Sequence, residues 1–559
     1  MTSAADLKFL RHLPNFLQEL QIEKPHAYDH IARGPFASEV RVEGAATGHE
    51  LRKRGTSVDL SDLIDRNAAF APDKAALRFD GTALSYADFS ARIAATARAL
   101  KSGFAIGRGD RVAILATNHP DYLVLLYACA RLGALLVPLN WRLAVPEQLF
   151  ILRDAAVKAL VVEQALAAIV PELAKARPDT RVIGLDFAPP GGFSFADLLK
   201  AGSGDGRNPH VDFSCPLLIV YTSGTTGRPK GAVLRQDALL WNAVMSQHMH
   251  DMTADDHVLT VLPMFHVGGL NIQTTPALQL GATVTLHARF TPDHTLAAIA
   301  ADRPSLTLLV PATIQALIEH PQWATSDLTS LRAVSTGSTQ VPQKLVDAIM
   351  ARGIPVLQVY GSTETCPIAV YTRLAGDWRR PGSAGLPGLV CEAKIVDDAG
   401  GEAVADTPGE VLVRGPNVFF EYWGNEAASR EALREGWYHT GDIGMRDPDG
   451  HFFIHDRKKN MIISGGENIY PAEIERVLLD HPAIAEAAVI GRPDARWQEV
   501  PVAFVVRRRG TTIDAAAIET FVLAQLARYK VPRDYRFVDS LPRNAMGKVQ
   551  HFRLKEIAE

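Results

Sequence analysis

A chain of 559 residues and 60.7 kDa exceeds the roughly 250–300 residues at which one hydrophobic core stops growing, so more than one domain is expected. With 47% hydrophobic, 21% charged and 7% aromatic residues it reads as globular, which excludes collagenous, low-complexity and broadly disordered classes. A net charge of −4 leaves no global basic field for nucleic acid or an anionic membrane, so any anion site must be local.

Residues 1–56 form an irregular preface punctuated by Pro14, Pro25, Gly34, Pro35, Gly44 and Gly48, and are taken as an N-terminal extension. Asp6, Lys8, Arg11 and Glu19 interrupt the apolar core that an export signal needs, and Arg131 breaks the most apolar stretch, 122–141. No transmembrane segment is expected, and a cytoplasmic location is the default. Cys129, Cys215, Cys366 and Cys391 lie far apart, with no spacing that suits zinc or a disulfide scaffold.

From residue 57 the pattern becomes an alternation of helices and short apolar strands, which argues α/β architecture. Leu60, Leu63 and Ile64 share one helical face, 84–88 reads as a helix start, and 111–116 and 159–162 read as strands. The apolar run 217–220 predicts a strand leading into a Gly/Thr-rich loop, and 237–248 has helical spacing, so the loop is expected between a strand and a helix. Residues 333–335 predict a further strand. Beyond residue 460 the mixture recurs on a smaller scale, with helices at 471–479 and 514–527 and strands around 487–490 and 502–506. The division expected is extension 1–56, large domain 57–459 and small C-terminal domain 460–559.

The loop Tyr221-Thr222-Ser223-Gly224-Thr225-Thr226-Gly227-Arg228-Pro229-Lys230-Gly231 combines glycines that admit close backbone approach, hydroxyl donors and the cation of Lys230. Polyphosphate is its natural guest. It is not a Walker A loop, because Lys230 is followed by Gly231 and the required spacing is absent.

This loop closely resembles the phosphate loop of the adenylate-forming superfamily, which includes acyl-CoA synthetases and 4-coumarate ligases. Further segments follow in that family's order: Tyr360-Gly361-Ser362-Thr363-Glu364, Tyr438-His439-Thr440-Gly441-Asp442, Asp456-Arg457-Lys458-Lys459 and Pro542-Arg543-Asn544-Ala545-Met546-Gly547-Lys548. The resemblance implies a large multi-subdomain α/β domain and a small mobile α+β domain joined by a hinge. It also implies an AMP-forming carboxylic acid–CoA ligase using ATP, Mg²⁺ and coenzyme A.

Carried onto these positions, Glu364 is expected to hold Mg²⁺, and Thr363 to meet the α-phosphate with Thr222, Ser223, Gly224, Thr225, Thr226, Gly227 and Lys230 around the other phosphates. Tyr360, Gly361, Ser362, Gly337, Ser338 and Thr339 would line adenine and the acyl pocket. Asp442 and Arg457 would hold the ribose. Lys548 would supply the cation for adenylate formation and Lys459 the hinge. Ser464, Gly465 and Gly466 would face the pantetheine tunnel.

The acid pocket implied by the resemblance draws on Phe265, His266, Val267, Gly268, Gly269, Asn271, Val310, Thr313, Ile314, Gly337 and Ser362. His266 reads equally as a gate against the carboxylate and as a wall residue. No arginine stands among these positions, which favours a monocarboxylic acid, fatty or aryl, over a dicarboxylate of the malonyl type. Alternatives are a stand-alone adenylation enzyme loading a carrier protein, a luciferase-like oxidase and a non-catalytic nucleotide-binding protein. The setting of Lys548 also resembles sites acetylated in bacterial relatives, which implies a lysine acetyltransferase as a partner, and a homo-oligomer stays open.

Overall fold

The computed structural model describes residues 58–558 apart from 223–228, 338–340, 377, 398, 465–466, 495–496, 527 and 544–547, with backbone only at 459, 467 and 468. The extension 1–56 lies outside the described residues. In the strands Arg111–Leu115 and Ala159–Val162, every residue but Arg111 is buried and apolar on both faces, as strands of a covered parallel sheet must be. They belong to an eight-stranded sheet ordered Glu421–Tyr422, Lys230–Arg235, Pro216–Thr222, Leu135–Pro138, Arg111–Leu115, Ala159–Val162, Arg181–Gly184 and Phe193–Ser194.

A second, nine-stranded sheet runs parallel from Val356–Tyr360 through Ala333–Gly337, Leu306–Leu309, His257–Thr260 and Thr283–Leu286 to Ala75–Phe79, with antiparallel strands at both edges. The helix Gln236–His250 is buried on most of its circumference by Leu239, Trp241, Met245 and Met249, which identifies it as a central helix. A five-stranded sheet built on Gly409–Arg414 and Trp437–Arg446 completes the large part.

The small part carries its own sheet, with the long antiparallel pair Ile484–Asp494 and Gln498–Arg507 at its centre, and the helices Pro471–Asp480, Ala515–Leu523 and His551–Ala558. Its apolar residues form clusters separate from that of the large part, one around Ile474, Ile484 and Val505 and another around Ile490, Phe504 and Leu554. Polar contacts join the two parts: Lys344 Nζ donates to the carbonyl of Leu479 at 2.6 Å, and Arg508 pairs with Glu319 at 3.3 Å. Among the described residues no helix is long and apolar enough to cross a membrane.

The sequence expectation fails locally in three places. Lys230–Arg235 is a strand, paired antiparallel to Pro216–Thr222 with Thr222 opposite Lys230, so the Gly/Thr-rich loop joins two strands, while the helix expected from 237 begins at Gln236. Burial of Ala232, Val233 and Leu234 explains this, since that run satisfies a covered strand as well as a loop end. The helix expected at 84 starts at Tyr86, because Ser85 accepts the N–H of Asp88 as its cap after the strand Thr82–Ser85. The last expected helix ends at Leu523, short of 527.

Candidate active site

Glu364 sits in the single turn Thr363–Thr365 that follows the strand Val356–Tyr360, and is 7% exposed. A distant segment holds it: the N–H of Phe419 donates to the Glu364 carbonyl at 2.7 Å, and Asn417 Nδ2 donates to the carbonyls of Thr365 and Ile368 at 2.8 Å each. Tyr422 donates its hydroxyl to Glu364 Oε1 at 2.8 Å, and Lys230 Nζ stands 5.2 Å from the centre of the same tyrosine ring. Lys230 and Glu364 thus bracket Tyr422, which strand pairing of Glu421–Tyr422 with Lys230–Arg235 brings into place. Among the described residues no group of three or more metal-binding side chains occurs. A single carboxylate with a free oxygen suits a Mg²⁺ ion whose other ligands are phosphates and water, so Glu364 fits the expected role.

The pair expected at the ribose, Asp442 and Arg457, is built across the antiparallel strands Trp437–Arg446 and Phe452–Arg457, whose register sets the two residues opposite each other. Arg457 Nε lies 2.6 Å from Asp442 Oδ1, and the Tyr360 hydroxyl donates to Oδ2 at 2.7 Å. Burial raises the Asp442 carboxyl from its ordinary value, while Arg457, Tyr360 and Lys548 pull it the other way. This tether aims the Tyr360 ring, and Ser362 donates to Tyr438 Oη at 3.4 Å beside it.

His266 caps the short helix Val267–Asn271 by accepting the Gly268 N–H on Nδ1 at 3.1 Å. Burial, and after it the charge of Lys548, lowers the imidazole to about 4. The ring is therefore neutral near pH 7 and carries its proton on Nε2, as an N–H donor. Lys548, half-buried, acts electrostatically on both His266 and Asp442.

The glycines serve packing. A Cβ on Gly337 would fall 2.2 Å from the Val359 carbonyl oxygen, and one on Gly361 1.7 Å from that of Pro367. Thr313 uses its hydroxyl to accept the Val310 N–H at 2.9 Å, so it caps a helix, while Ile314 is buried. Asn271 Nδ2 donates to Cys366 Sγ at 3.6 Å, with Cys366 in a left-handed conformation at φ 70°. Although no arginine occurs among the expected pocket residues, the Arg142 guanidinium stands 5.9 Å from the Phe265 ring, brought there from the loop after Leu135–Pro138.

Ser223, Gly224, Thr225, Thr226, Gly227, Ser338, Thr339, Gly465 and Gly466 lie outside the described residues, as does the side chain of Lys459. Ser464 ends the strand Ile462–Ser464, next to Gln498 across the sheet of the small part. Sequence reasoning missed Asn417, Phe419 and Tyr422, whose trace is the aromatic cluster between 419 and 423, and it quoted Tyr438 within a motif without giving it a role.

Comparison with known proteins finds the AMP-binding enzyme family model over residues 64–423 and the AMP-binding enzyme C-terminal domain over 473–548. The indoleacetate–CoA ligase of Aromatoleum aromaticum is 49% identical over 88% of this chain and 97% of that protein. A feruloyl-CoA synthase of Amycolatopsis sp is 40% identical over 87% of this chain and 96% of that one. Among solved structures, the o-succinylbenzoate coenzyme A synthetase of Bacillus subtilis in complex with ATP and magnesium ion superposes with a TM-score of 0.79 at 32% identity, over 88% of this chain and 99% of that one.

Proposed function

The chain belongs to the AMP-binding enzyme family and is an AMP-forming acid–CoA ligase, and from that premise we propose that it activates an aryl monocarboxylic acid with the residues assembled around Lys548. The observation that carries this reading is that the Lys548 charge acts on both neutral His266 and Asp442 of the Asp442–Arg457 pair. The aryl preference is supported by the acids named for the two relatives above.

In the first half-reaction the acid's carboxylate attacks the α-phosphorus of ATP, forming the mixed anhydride and releasing pyrophosphate. Negative charge grows on the non-bridging oxygens, and the Lys548 ammonium is the cation that meets it. His266 orients the attacking carboxylate by donating from Nε2. Its neutrality matters here, because a donor that stays neutral does not trap the nucleophile in an ion pair. Asp442 accepts from the ribose hydroxyls and Arg457 donates to the same sugar, which holds the adenosine while the phosphate reacts. Glu364, steadied by Tyr422, would hold Mg²⁺, which when bound neutralises phosphate charge. In the second half-reaction the thiol of CoA attacks the acyl carbon and AMP leaves. That step needs the Lys548 loop to withdraw, with residue 459 as the hinge and the 464–466 loop admitting the pantetheine arm.

The test is acid-dependent exchange of pyrophosphate into ATP, run beside thioester formation from preformed acyl-AMP and CoA. Lys548→Ala should reduce the exchange by about 100-fold or more while thioester formation falls by less than tenfold. Equal loss of both steps would refute the assignment of Lys548 to adenylate formation.

A further inference from the structure

Behind the helix capped by His266, three buried side chains meet that none of the preceding chemistry uses. His250, at the end of the helix Gln236–His250, is fully buried; its Nδ1 lies 2.7 Å from the carbonyl of Ser246, and its Nε2 lies 2.7 Å from Ser335 Oγ and 3.1 Å from Gln273 Nε2. A carbonyl only accepts, so Nδ1 must carry the proton. Burial lowers this imidazole to about 4, so no second proton is present near neutrality, and Nε2 is an acceptor. The orientation of the Gln273 amide follows: its NH₂ faces His250, and Oε1 is the atom left over.

That oxygen is an unusual thing to bury. Gln273 is 2% exposed, and Oε1 has no hydrogen-bond partner among the described residues. Such an acceptor costs about 1–3 kcal/mol unless something donates to it. Gln273 lines a small cavity with Thr260, Leu262, Gly268, Gly269 and Leu308, about the size of one water molecule. Thr260 cannot relieve the amide, because its hydroxyl is paired with Thr274 at 2.7 Å.

The cavity has a definite place relative to the reacting end. Gly268 and Gly269, which line it, belong to the short helix capped by His266, and Gln273 stands just past the end of that helix at Asn271, with its amide Nε2 3.3 Å from Ser335 Oγ. On the opposite wall, Ser335 and Gly337 alternate to the same face of the strand Ala333–Gly337, so Ser335 stands about 6.6 Å deeper than Gly337. Gln273 therefore stands at the level of Ser335, one strand repeat beyond Gly337.

Resting on the aryl-acid reading above, we propose that Gln273 Oε1 is the specificity-determining acceptor at the end of the acid pocket, and that the substrate is an aromatic acid carrying an N–H or O–H donor on the edge of the ring remote from its carboxylate. The Ser246–His250–Ser335 chain acts as positioning residues, holding the Gln273 amide with its oxygen outward. The cavity takes one polar edge atom and its hydrogen, not a further ring substituent.

Matched acids test this without any variant. Exchange of pyrophosphate into ATP is measured with indole-3-acetate against 1-methylindole-3-acetate, and with 4-coumarate against cinnamate and 4-methoxycinnamate. The donor-bearing member of at least one pair should show kcat/KM about 10- to 100-fold higher. In Gln273→Leu, or Gln273→Met should the first variant fold poorly, that ratio should fall to within about threefold, by change in both members and not by general loss. Equal kcat/KM within every pair, or a preference that survives in the variant, overturns the acceptor role and leaves Oε1 satisfied by water. Absence of exchange with every acid would instead overturn the aryl-acid reading beneath it.

Discussion

Protonation of His266 is the perturbation with the sharpest expected outcome. An ordinary histidine, with a pKa of 6.5, would be half charged at pH 6.5 and mostly charged at pH 5.5. With its imidazole at about 4, His266 is about 1% charged at pH 6. Acid-dependent pyrophosphate exchange should therefore show no limb from this residue between pH 5.5 and 8. The same depression bears on stability. Below pH 6.5 the unfolded chain binds a proton at His266 that the native state refuses until about pH 4, so stability is lost as pH falls through that window. The full effect amounts to about 3 kcal/mol. His266→Asn keeps an acceptor for the Gly268 N–H and an N–H donor toward the acid, and has no group to titrate. It should flatten the acid side of a thermal-unfolding series while retaining most exchange activity. His266→Ala loses the cap as well, at about 1 kcal/mol, and should cost 10- to 100-fold in exchange. An exchange profile with an apparent pKa of 6–6.5 that disappears in His266→Asn would refute the assignment of a neutral donor.

Tyr422→Phe removes the hydroxyl that steadies Glu364 Oε1, and should raise the KM for Mg²⁺-ATP by about 3- to 30-fold with little change in the KM for the acid; equal change in both would show that Glu364 is not held for the nucleotide side. Gly337→Ala would drive a Cβ to 2.2 Å from the Val359 carbonyl and should lower stability by about 1–3 kcal/mol or more in denaturant unfolding. A stable variant with only an altered acid preference would mean that this glycine serves ligand room instead of strand packing.

The α/β class and the order of the motifs were legible in the chain, and the charged residues proposed for the site could be picked out there, because hydrophobic periodicity and local glycine, hydroxyl and carboxylate patterns are written in consecutive residues. Glu364, Asp442, Arg457 and Lys548 each announce themselves within a few neighbours. What the sequence by itself could not specify is which residues meet across hundreds of positions. Tyr422 reaches Glu364 only because Glu421–Tyr422 adds to the edge of the strand Lys230–Arg235, whose first two residues read as the end of a loop and whose burial on both faces erases the alternating pattern. The Tyr360 tether on Asp442 depends on the packing of two different sheets. The state of His266, and the Gln273 oxygen left without a partner among the described residues, follow from burial and from the direction of hydrogen bonds, quantities that exist only once the chain is folded. Local composition thus determined the chemistry available to this protein, while tertiary packing decided its geometry, because desolvation and hydrogen-bond direction are properties of neighbours in space.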